Sequence, residues 1–276
     1  MAIRSILTQV HPGARGVERL NYAATLANQL GAELIGVGVQ DFSPYIASTG
    51  AFGYVDAGAI QAIRTELDTE LKDAGELFAA TKARLGFTGE WHKAVDDPVE
   101  TLARLSRAAD LIVASRKEAA EGPAGTAFPA DLLIATGRPV LVVPPNAKPL
   151  EGKTVLVAWK DGREARRALA DSLPLLHRAD RVVVAEVCHA DEIEDAKART
   201  ASIARHLARH GVKVEADVVK PDHGRVTNHI LGLATAIGAD LLVAGAYAHP
   251  RLREWVFGGV TQELLDSAPI ACLLSH

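Results

Sequence analysis

The sequence predicts an α/β protein with two tandem domains, each built around a five-stranded parallel sheet. First, the chain repeats itself: "ADLIVAS" at residues 109–115 matches "ADLLVAG" at residues 239–245, and without a gap Pro139 then aligns with Pro269. Second, each half alternates strand patterns with helical patterns, which is typical of a parallel sheet with right-handed crossovers. A repeat of this length indicates a duplicated domain rather than an array of short units.

The strands are predicted from short apolar runs that barely alternate, as expected where both faces of a sheet are covered. In the first half they lie near residues 4–10, 33–39, 90–95, 110–114 and 139–143. In the second half they lie near residues 154–159, 182–187, 213–219, 240–244 and 270–274. The junction is predicted at "PPNAKPLEGK", residues 144–153, because its prolines and glycine resist both helix and sheet. This gives domains at residues 1–147 and 148–276.

Helices are predicted between these strands. An apolar stripe at three- and four-residue steps runs through Ile60, Ile63, Leu67, Leu71, Ala74 and Leu77. A second stripe contains Ile193, Ala196, Ile203 and Leu207. The predicted helix stops are Gly31, Gly86, Gly211 and Gly238. Asp97 is expected to cap a helix that begins at Pro98, with Glu100 completing a capping box. Pro174 should kink or break its helix.

Composition excludes several classes of protein. Hydrophobic residues make up 48% and charged residues 23% of the chain, with a net charge of -4, which indicates a globular protein without a general attraction to nucleic acid. No apolar run approaches the roughly 20 residues of a membrane helix, and the N-terminal sequence lacks a secretory pattern. We therefore expect a cytoplasmic protein with no nucleic-acid or membrane partner. Cys188 and Cys272 lie in apolar runs and are expected to be buried rather than reactive.

A ligand crevice is expected where the order of an open parallel sheet reverses, between the carboxyl ends of strands 1 and 4 of each half. In the second half, strand 4 leads into "GAYAHPRLREWVFGGVT", residues 245–261. Gly258 and Gly259 at the start of the last helix would leave backbone N–H groups uncovered, and the helix dipole would add partial positive charge there. The loop could hold phosphate, or its glycines could only supply turns. His249, Arg251 and Arg253 could reach phosphates or form a solvated face.

These residues resemble the universal stress protein family. The resemblance rests on the gapless spacing of Gly245, Ala248 and Gly258 and on the five-strand plan of each half, and it covers nearly the whole chain, as in a tandem member. It implies Rossmann-like, adenine nucleotide alpha hydrolase-like domains with strand order 3-2-1-4-5. It also implies that the last strands, "PVLVV" and "PIACLL", pair antiparallel across the two halves. A stress-response sensor or regulator is the function that the resemblance implies.

Nucleotide-binding members carry a loop of glycine, two residues, glycine, nine residues, glycine and then serine or threonine. Here Ala248 replaces the second glycine and Gly259 replaces the hydroxyl residue, while Lys160 stands at the position of a strand 1 aspartate, with Asp161 next. The resemblance implies that Val187 lines an adenine pocket. It implies ATP or AMP, with Mg possible beside it, in the second domain. The candidate nucleotide-binding residues are Ala158, Lys160, Asp161, Val187, Gly245, Ala248, Gly258, Gly259, Val260 and Thr261.

The first half differs at the equivalent positions, where it carries Ser115, Glu118, Phe128 and Pro129. Proline removes an N–H, phenylalanine fills space and glutamate brings negative charge toward an anion site. The first domain is therefore expected to bind no nucleotide.

Other interpretations stay open. The protein could be a nucleotide-free stress scaffold that acts through a protein partner or a homodimer, with the aromatic insertion at residues 41–57 as a lid or contact surface; the insertion could equally fold back on its own domain. A flavin or dinucleotide protein is less well supported, because no "GxGxxG" follows a strand. His206 and His210 lack a third metal ligand, so no metal site is expected. No nucleophile elbow or Walker loop is present, which favours a binding protein over an enzyme.

Overall fold

The computed structural model describes residues 2–42, 57–116, 126–221, 224–247 and 259–276. The chain divides into two compact units. The N-terminal unit comprises residues 3–136, and the C-terminal unit comprises residues 137–276 together with Ala2. None of the helices described has both the length and the apolar character needed to span a membrane.

The N-terminal unit has four parallel strands in the order β3-β2-β1-β4. Its strands are β1 (Ser5–Gln9), β2 (Glu33–Gln40), β3 (Gly89–Val95) and β4 (Leu111–Ser115). Its helices are α1 (Ala14–Leu30), α2 (Ala57–Leu85), α3 (Pro98–Ser106) and α4 (Pro129–Thr136). Most of the predicted insertion, residues 43–56, lies outside the described residues.

The C-terminal unit has six strands in the order β5-β10-β9-β6-β7-β8. Its strands are β5 (Val140–Val143), β6 (Thr154–Ala158), β7 (Arg181–Val187), β8 (Val214–Val219), β9 (Leu241–Gly245) and β10 (Ala271–Ser275). Its helices are α5 (Arg163–Leu176), α6 (Ile193–Arg209), α7 (Val226–Ala236) and α8 (Gly259–Ser267). A short 3-10 turn, Ala190–Glu192, precedes α6.

The α/β class with a mostly parallel sheet is confirmed. Strands β6 to β10 keep the predicted order 3-2-1-4-5, β1 to β4 keep the order 3-2-1-4, and β5 belongs to the C-terminal unit. It pairs antiparallel with β10, placing Leu141 opposite Leu273, as the sequence resemblance implied. The pairing covers the edge that β10 would otherwise expose. The predicted boundary between residues 147 and 148 stays a prediction, while residues 144–153 contain neither helix nor strand.

Two local predictions hold only in part. The Asp97 carboxylate does accept a hydrogen bond from the Glu100 N–H at 2.8 Å, so Asp97 caps α3 as expected. The reciprocal half of a capping box is absent, because the Asp97 N–H donates to the Asp96 carboxylate at 2.9 Å. Pro174 does not break α5, which continues to Leu176, because the proline lies in the last turn, where losing one N–H disrupts little of the helix.

An aspartate repeated in the two halves connects the first and fourth strands of each half. The Asp110 carboxylate accepts hydrogen bonds from the Arg4 N–H at 2.8 Å, the Ser5 N–H at 3.1 Å and the Ser5 hydroxyl at 3.2 Å. In the C-terminal unit, the Asp240 carboxylate accepts one bond, from the Lys153 N–H at 3.3 Å. In both repeats this aspartate therefore holds the start of the fourth strand, β4 or β9, beside the start of the first strand, β1 or β6. The attachment has more hydrogen bonds in the N-terminal unit.

The glycines of β2 make room for aromatic rings. Phe78 of α2 packs at 5.4 Å from the Phe87 ring and at 5.5 Å from the Trp91 ring, measured between centroids. A Cβ on Gly36 would lie 2.4 Å from the Phe78 ring, and one on Gly38 would lie 2.7 Å from Trp91. The bare backbone of β2 is therefore what lets these rings reach the sheet.

We predict that Gly36→Ala lowers the free energy of unfolding by about 1–3 kcal/mol, because the methyl group overpacks against Phe78. Gly232→Ala is the matched control, since no described residue outside the backbone of α7 lies within 4 Å of the new Cβ, and alanine favours a helix. Urea unfolding followed by circular dichroism would compare the two variants. An equal midpoint for both variants would contradict the proposed packing role.

We also predict that Asp110→Ala destabilises the protein by about 2–3 kcal/mol, because three donors lose a charged acceptor. Asp240→Ala at the repeated position should cost about 1 kcal/mol or less, since it removes a single long hydrogen bond. Thermal unfolding of both variants by calorimetry checks the difference. The account of the repeat is wrong if the Asp240 variant loses as much stability as the Asp110 variant.

Candidate functional site

The crevice predicted in the C-terminal unit lies where its strand order reverses. β6 pairs in parallel with β7 on one side and with β9 on the other, so that Ala158 has Ala185 and Ala244 as its partners. The carboxyl ends of β6 and β9 therefore lie side by side along one border of the sheet, called this edge below, and the segments that follow the two strands face each other there. Ala158 is half-buried at this edge, and so is Val187 at the end of β7.

Gly245, at the end of β9, is a packing residue. A Cβ at this position would lie 2.5 Å from the Ala165 N and 2.6 Å from the carbonyl carbon of Glu164. The first turn of α5 thus packs directly against the backbone of β9, and no side chain fits between them. The sequence pattern suggested a phosphate loop at Gly245 but did not indicate this close approach, because two distant segments of the chain create it.

Beyond Gly245 the chain turns back toward α8. Tyr247 has a positive φ of 57°, an uncommon conformation for a residue with a side chain. Its N–H donates to the hydroxyl of the buried Thr261 at 3.3 Å. Thr261, a predicted nucleotide contact, therefore accepts a hydrogen bond that holds the exit of β9 against the first turn of α8. The Ala246 N–H also bonds to the Ser275 carbonyl at 2.8 Å.

Gly259 begins α8 at this edge and is exposed, while Val260 beside it is half-buried. Among the described residues, and apart from its chain neighbours and the backbone of α8 itself, no atom lies within 4 Å of the position that a Cβ on Gly259 would take. The first turn of α8 contains no acidic residue, so no carboxylate of that turn neutralises its N-terminus. Ala248 and Gly258, with His249, Arg251 and Arg253, lie outside the described residues.

The charged residues near the end of β6 differ in their pairing. Asp161 accepts a hydrogen bond from Arg166 at 2.6 Å, and both side chains are exposed. Lys160 is exposed and forms no ion pair within the described part of the chain. Lys160 therefore offers a positive charge to a ligand, whereas Asp161 is already compensated by arginine.

Glu164 is a buried acid that the sequence analysis missed. It lies in the first turn of α5, is only 3% exposed, and its carboxylate is ion-paired with Arg163. Burial opposes its ionisation, but the hydrogen bonds from Arg163 and from the Glu164 N–H outweigh it, so the pKa of this carboxyl lies below its usual range. The N-terminus of α5 thus carries its own negative charge, which makes α8 the better place for an external anion. The sequence signal for this residue was an acid two positions after Gly162, the glycine that precedes α5.

Trp159 is a second buried residue of this edge that the sequence analysis did not select. It is 4% exposed, and its backbone N–H donates to the Ala185 carbonyl at 2.8 Å. Its indole N–H is buried without a hydrogen-bond partner in the described ranges, an uncommon state for a polar group. Cys188 follows β7 and is also buried, and burial together with the nearby Glu186 and Glu192 raises the pKa of its thiol.

The equivalent edge of the N-terminal unit is built differently. Pro129 is the first residue of α4 and is buried, so this helix begins without the N–H that Gly259 offers at the start of α8. Ser115, at the end of β4, accepts a hydrogen bond from Arg19 at 3.1 Å. Glu118 lies outside the described residues. That this unit binds no nucleotide stays a prediction.

Comparison with known proteins agrees with this architecture. The model of the universal stress protein family matches residues 152–276. No curated protein matches the chain. A universal stress protein from Archaeoglobus fulgidus DSM 4304 has a similar structure, with a TM-score of 0.74 at 15% identity over 98% of this chain and 97% of that chain.

A functionally unknown protein from Pseudomonas aeruginosa PAO1 has a TM-score of 0.58 at 19% identity, over 99% of this chain and 92% of that chain. At these identities the structural similarity shows the fold. The family match covers β6 to β10, the strands that build the crevice described above. Residues 152–276 of this chain are thus similar to the universal stress protein family, and the similarity extends over the rest of the chain as a similarity of fold.

Proposed function

We propose that the C-terminal unit binds an adenine nucleotide, ATP or AMP, and that the protein acts as a stress-response sensor or regulator. The observation that carries the proposal is the start of α8. Gly259 presents the N-terminus of the helix at the strand 1 and strand 4 edge, with no acid in the first turn and, among the described residues outside α8, no atom near the position of a Cβ. Backbone N–H groups and the helix dipole at such a terminus suit a phosphate group.

The nucleotide would span the edge of the sheet. Its phosphates would lie at Gly259 and Val260 with Lys160 as a cation, and magnesium would accompany ATP. The half-buried apolar side chains of Ala158 and Val187 suit the adenine base. Ala248 and Gly258 remain predicted contacts of this ligand.

We propose binding without efficient turnover. The two carboxylates described near the end of β6, those of Asp161 and Glu164, are each paired with an arginine. The lowered pKa of the Glu164 carboxyl makes it a poor general base for activating water, and the Asp161 carboxylate already accepts a hydrogen bond from Arg166. The cytoplasmic location and a protein partner remain predictions.

The charge at position 259 tests the phosphate site. Gly259→Asp should abolish ATP binding, since its carboxylate would repel the phosphates, while an acid in the first turn of α8 should leave the fold stable. Gly259→Asn is the matched control of the same shape without the charge, and it should keep most of the affinity. Isothermal titration calorimetry with ATP and Mg measures both variants. Equal ATP affinity in the Asp variant and the parent protein would sink the proposal.

Lys160→Gln should weaken ATP binding about tenfold at low salt, since a charge-assisted contact to phosphate is lost. Its effect on AMP should be smaller, because AMP carries fewer phosphates. Lys153→Gln is the control: Lys153 precedes the opposite end of β6 and forms an ion pair with Glu151. Calorimetric titration of each variant with both nucleotides distinguishes the cases. A loss of the same size in the Lys153 variant would indicate a general charge effect.

A further inference from the structure

Arg19 of α1 is a buried cation in the N-terminal unit. Its side chain lies at the carboxyl ends of β1 and β4, where its Nε donates to the Gln9 carbonyl at 2.9 Å and its Nη1 donates to the Ser115 hydroxyl at 3.1 Å. The residue is only 5% exposed. Within the described part of the chain, its Nη2 is buried without a hydrogen-bond partner, and no carboxylate forms an ion pair with it.

Such a charge is costly to bury without a counter-ion. Burial lowers the pKa of the Arg19 guanidinium to about 10, which still leaves it protonated at neutral pH. Proteins almost always pair a buried charge, because removing it from water carries a large penalty. His11 cannot offset this charge, because an imidazole is either neutral or cationic; burial, with the nearby Arg19 charge, lowers the pKa of His11 to about 3 and keeps it neutral.

Two hydroxyl groups belong to the same edge. The Ser115 hydroxyl accepts its bond from Arg19 and so keeps its own proton to donate. The Thr126 hydroxyl is buried without a partner in the described part of the chain, and the next residue, Ala127, donates its N–H to the Gln9 side chain at 3.0 Å. Gln9 thus connects Arg19 and the Thr126 segment.

This arrangement belongs to one half of the repeat. With Gly13 aligned on Gly162, the counterpart of Arg19 is Ala168, which is buried in α5. The counterpart of Gln9 is Ala158. The guanidinium is therefore present in only one half of the repeat, and the C-terminal unit shows that the fold does not require it.

We propose that the N-terminal unit binds a small oxyanion, a carboxylate or phosphate group, with Arg19 as its counter-ion and the Ser115 and Thr126 hydroxyls as further donors. A guanidinium suits both groups because its planar N–H donors match their oxygens. The site goes beyond the proposed nucleotide site, lies in the other unit and requires no N–H from Pro129. A free oxyanion has no base or ribose and therefore needs less space than a nucleotide.

The test uses the full chain with Gly259→Asp, which removes the phosphate site proposed for α8. Inorganic phosphate and acetate are titrated separately by calorimetry at constant ionic strength. Binding of phosphate, of acetate or of both supports the site and identifies the oxyanion class. Arg19→Met should then lower the affinity at least about tenfold. Arg15→Met is the matched control, because Arg15 lies on the same helix but is exposed and paired with Glu18. It should leave the affinity unchanged.

Unfolding temperatures give a second readout. Without the oxyanion, Arg19→Met should be as stable as the parent or more stable, because methionine replaces an uncompensated charge. With the oxyanion, only the parent should gain stability. If Arg19→Met does not fold, Ser115→Ala and Thr126→Val serve instead, and each should weaken binding several-fold.

Three results would overturn the proposal. One is that neither phosphate nor acetate binds. Another is that Arg19→Met loses the same stability with and without the oxyanion, which would make Arg19 purely structural. The third is that Glu118→Gln or Glu121→Gln destabilises the parent while the added oxyanions have no effect, which would assign the counter-charge to the chain itself.

Discussion

The parallel pairing of β6 with β9, and of β1 with β4, is the constraint on which both candidate sites depend. In each unit the first strand lies between the second and the fourth, so the connections that follow the first and fourth strands diverge at one edge. Strands buried on both faces can expose backbone and polar groups only at such edges. Asp110 and Asp240 act at the opposite end, where they fix the start of one strand beside the other.

The two units use this edge differently because a few side chains differ. In the C-terminal unit, Gly245 lets α5 pack against β9, Glu164 neutralises the N-terminus of α5, and Gly259 leaves that of α8 open. In the N-terminal unit, Pro129 begins the last helix, and the positive charge comes from a side chain, Arg19. We therefore propose that the shared backbone binds an anion through helix N–H groups in one half and through a guanidinium in the other.

Most of the fold could be predicted from the sequence, because buried parallel strands are continuous apolar runs and the repeat supplied each strand twice. The predicted ranges agree with β1 to β10 to within about two residues at each end. The glycine stops at Gly31, Gly86, Gly211 and Gly238 have positive φ, as the patterns indicated. The error at Pro174 arose because a proline near the end of a helix costs less than one in its middle.

The chemistry of the two edges was harder to predict because it depends on neighbours that are distant in sequence. Nothing in "VERL" shows that Arg19 lies against Ser115, 96 residues later, or that its Nη2 lacks a partner. Likewise, the role of Gly245 depends on α5, which precedes it by some 80 residues. Buried polar groups of this kind appear only when the whole set of hydrogen bonds is assigned.

The two proposed anion sites, one at the start of α8 and one at Arg19, are expected to differ in their sensitivity to salt. Lys160 and the start of α8 are exposed, so their attraction for phosphate is screened by mobile ions, whose Debye length is about 8 Å at physiological ionic strength. Arg19 is enclosed by protein, where screening is much weaker. An oxyanion beside Arg19 would also replace a missing counter-ion, and so would stabilise the N-terminal unit itself. The C-terminal unit has no buried charge of this kind in its described residues near β6, since Glu164 is already paired with Arg163. A nucleotide would therefore bind to the C-terminal unit without being needed for the stability of its fold. This is the property expected of a site that responds to changing nucleotide levels.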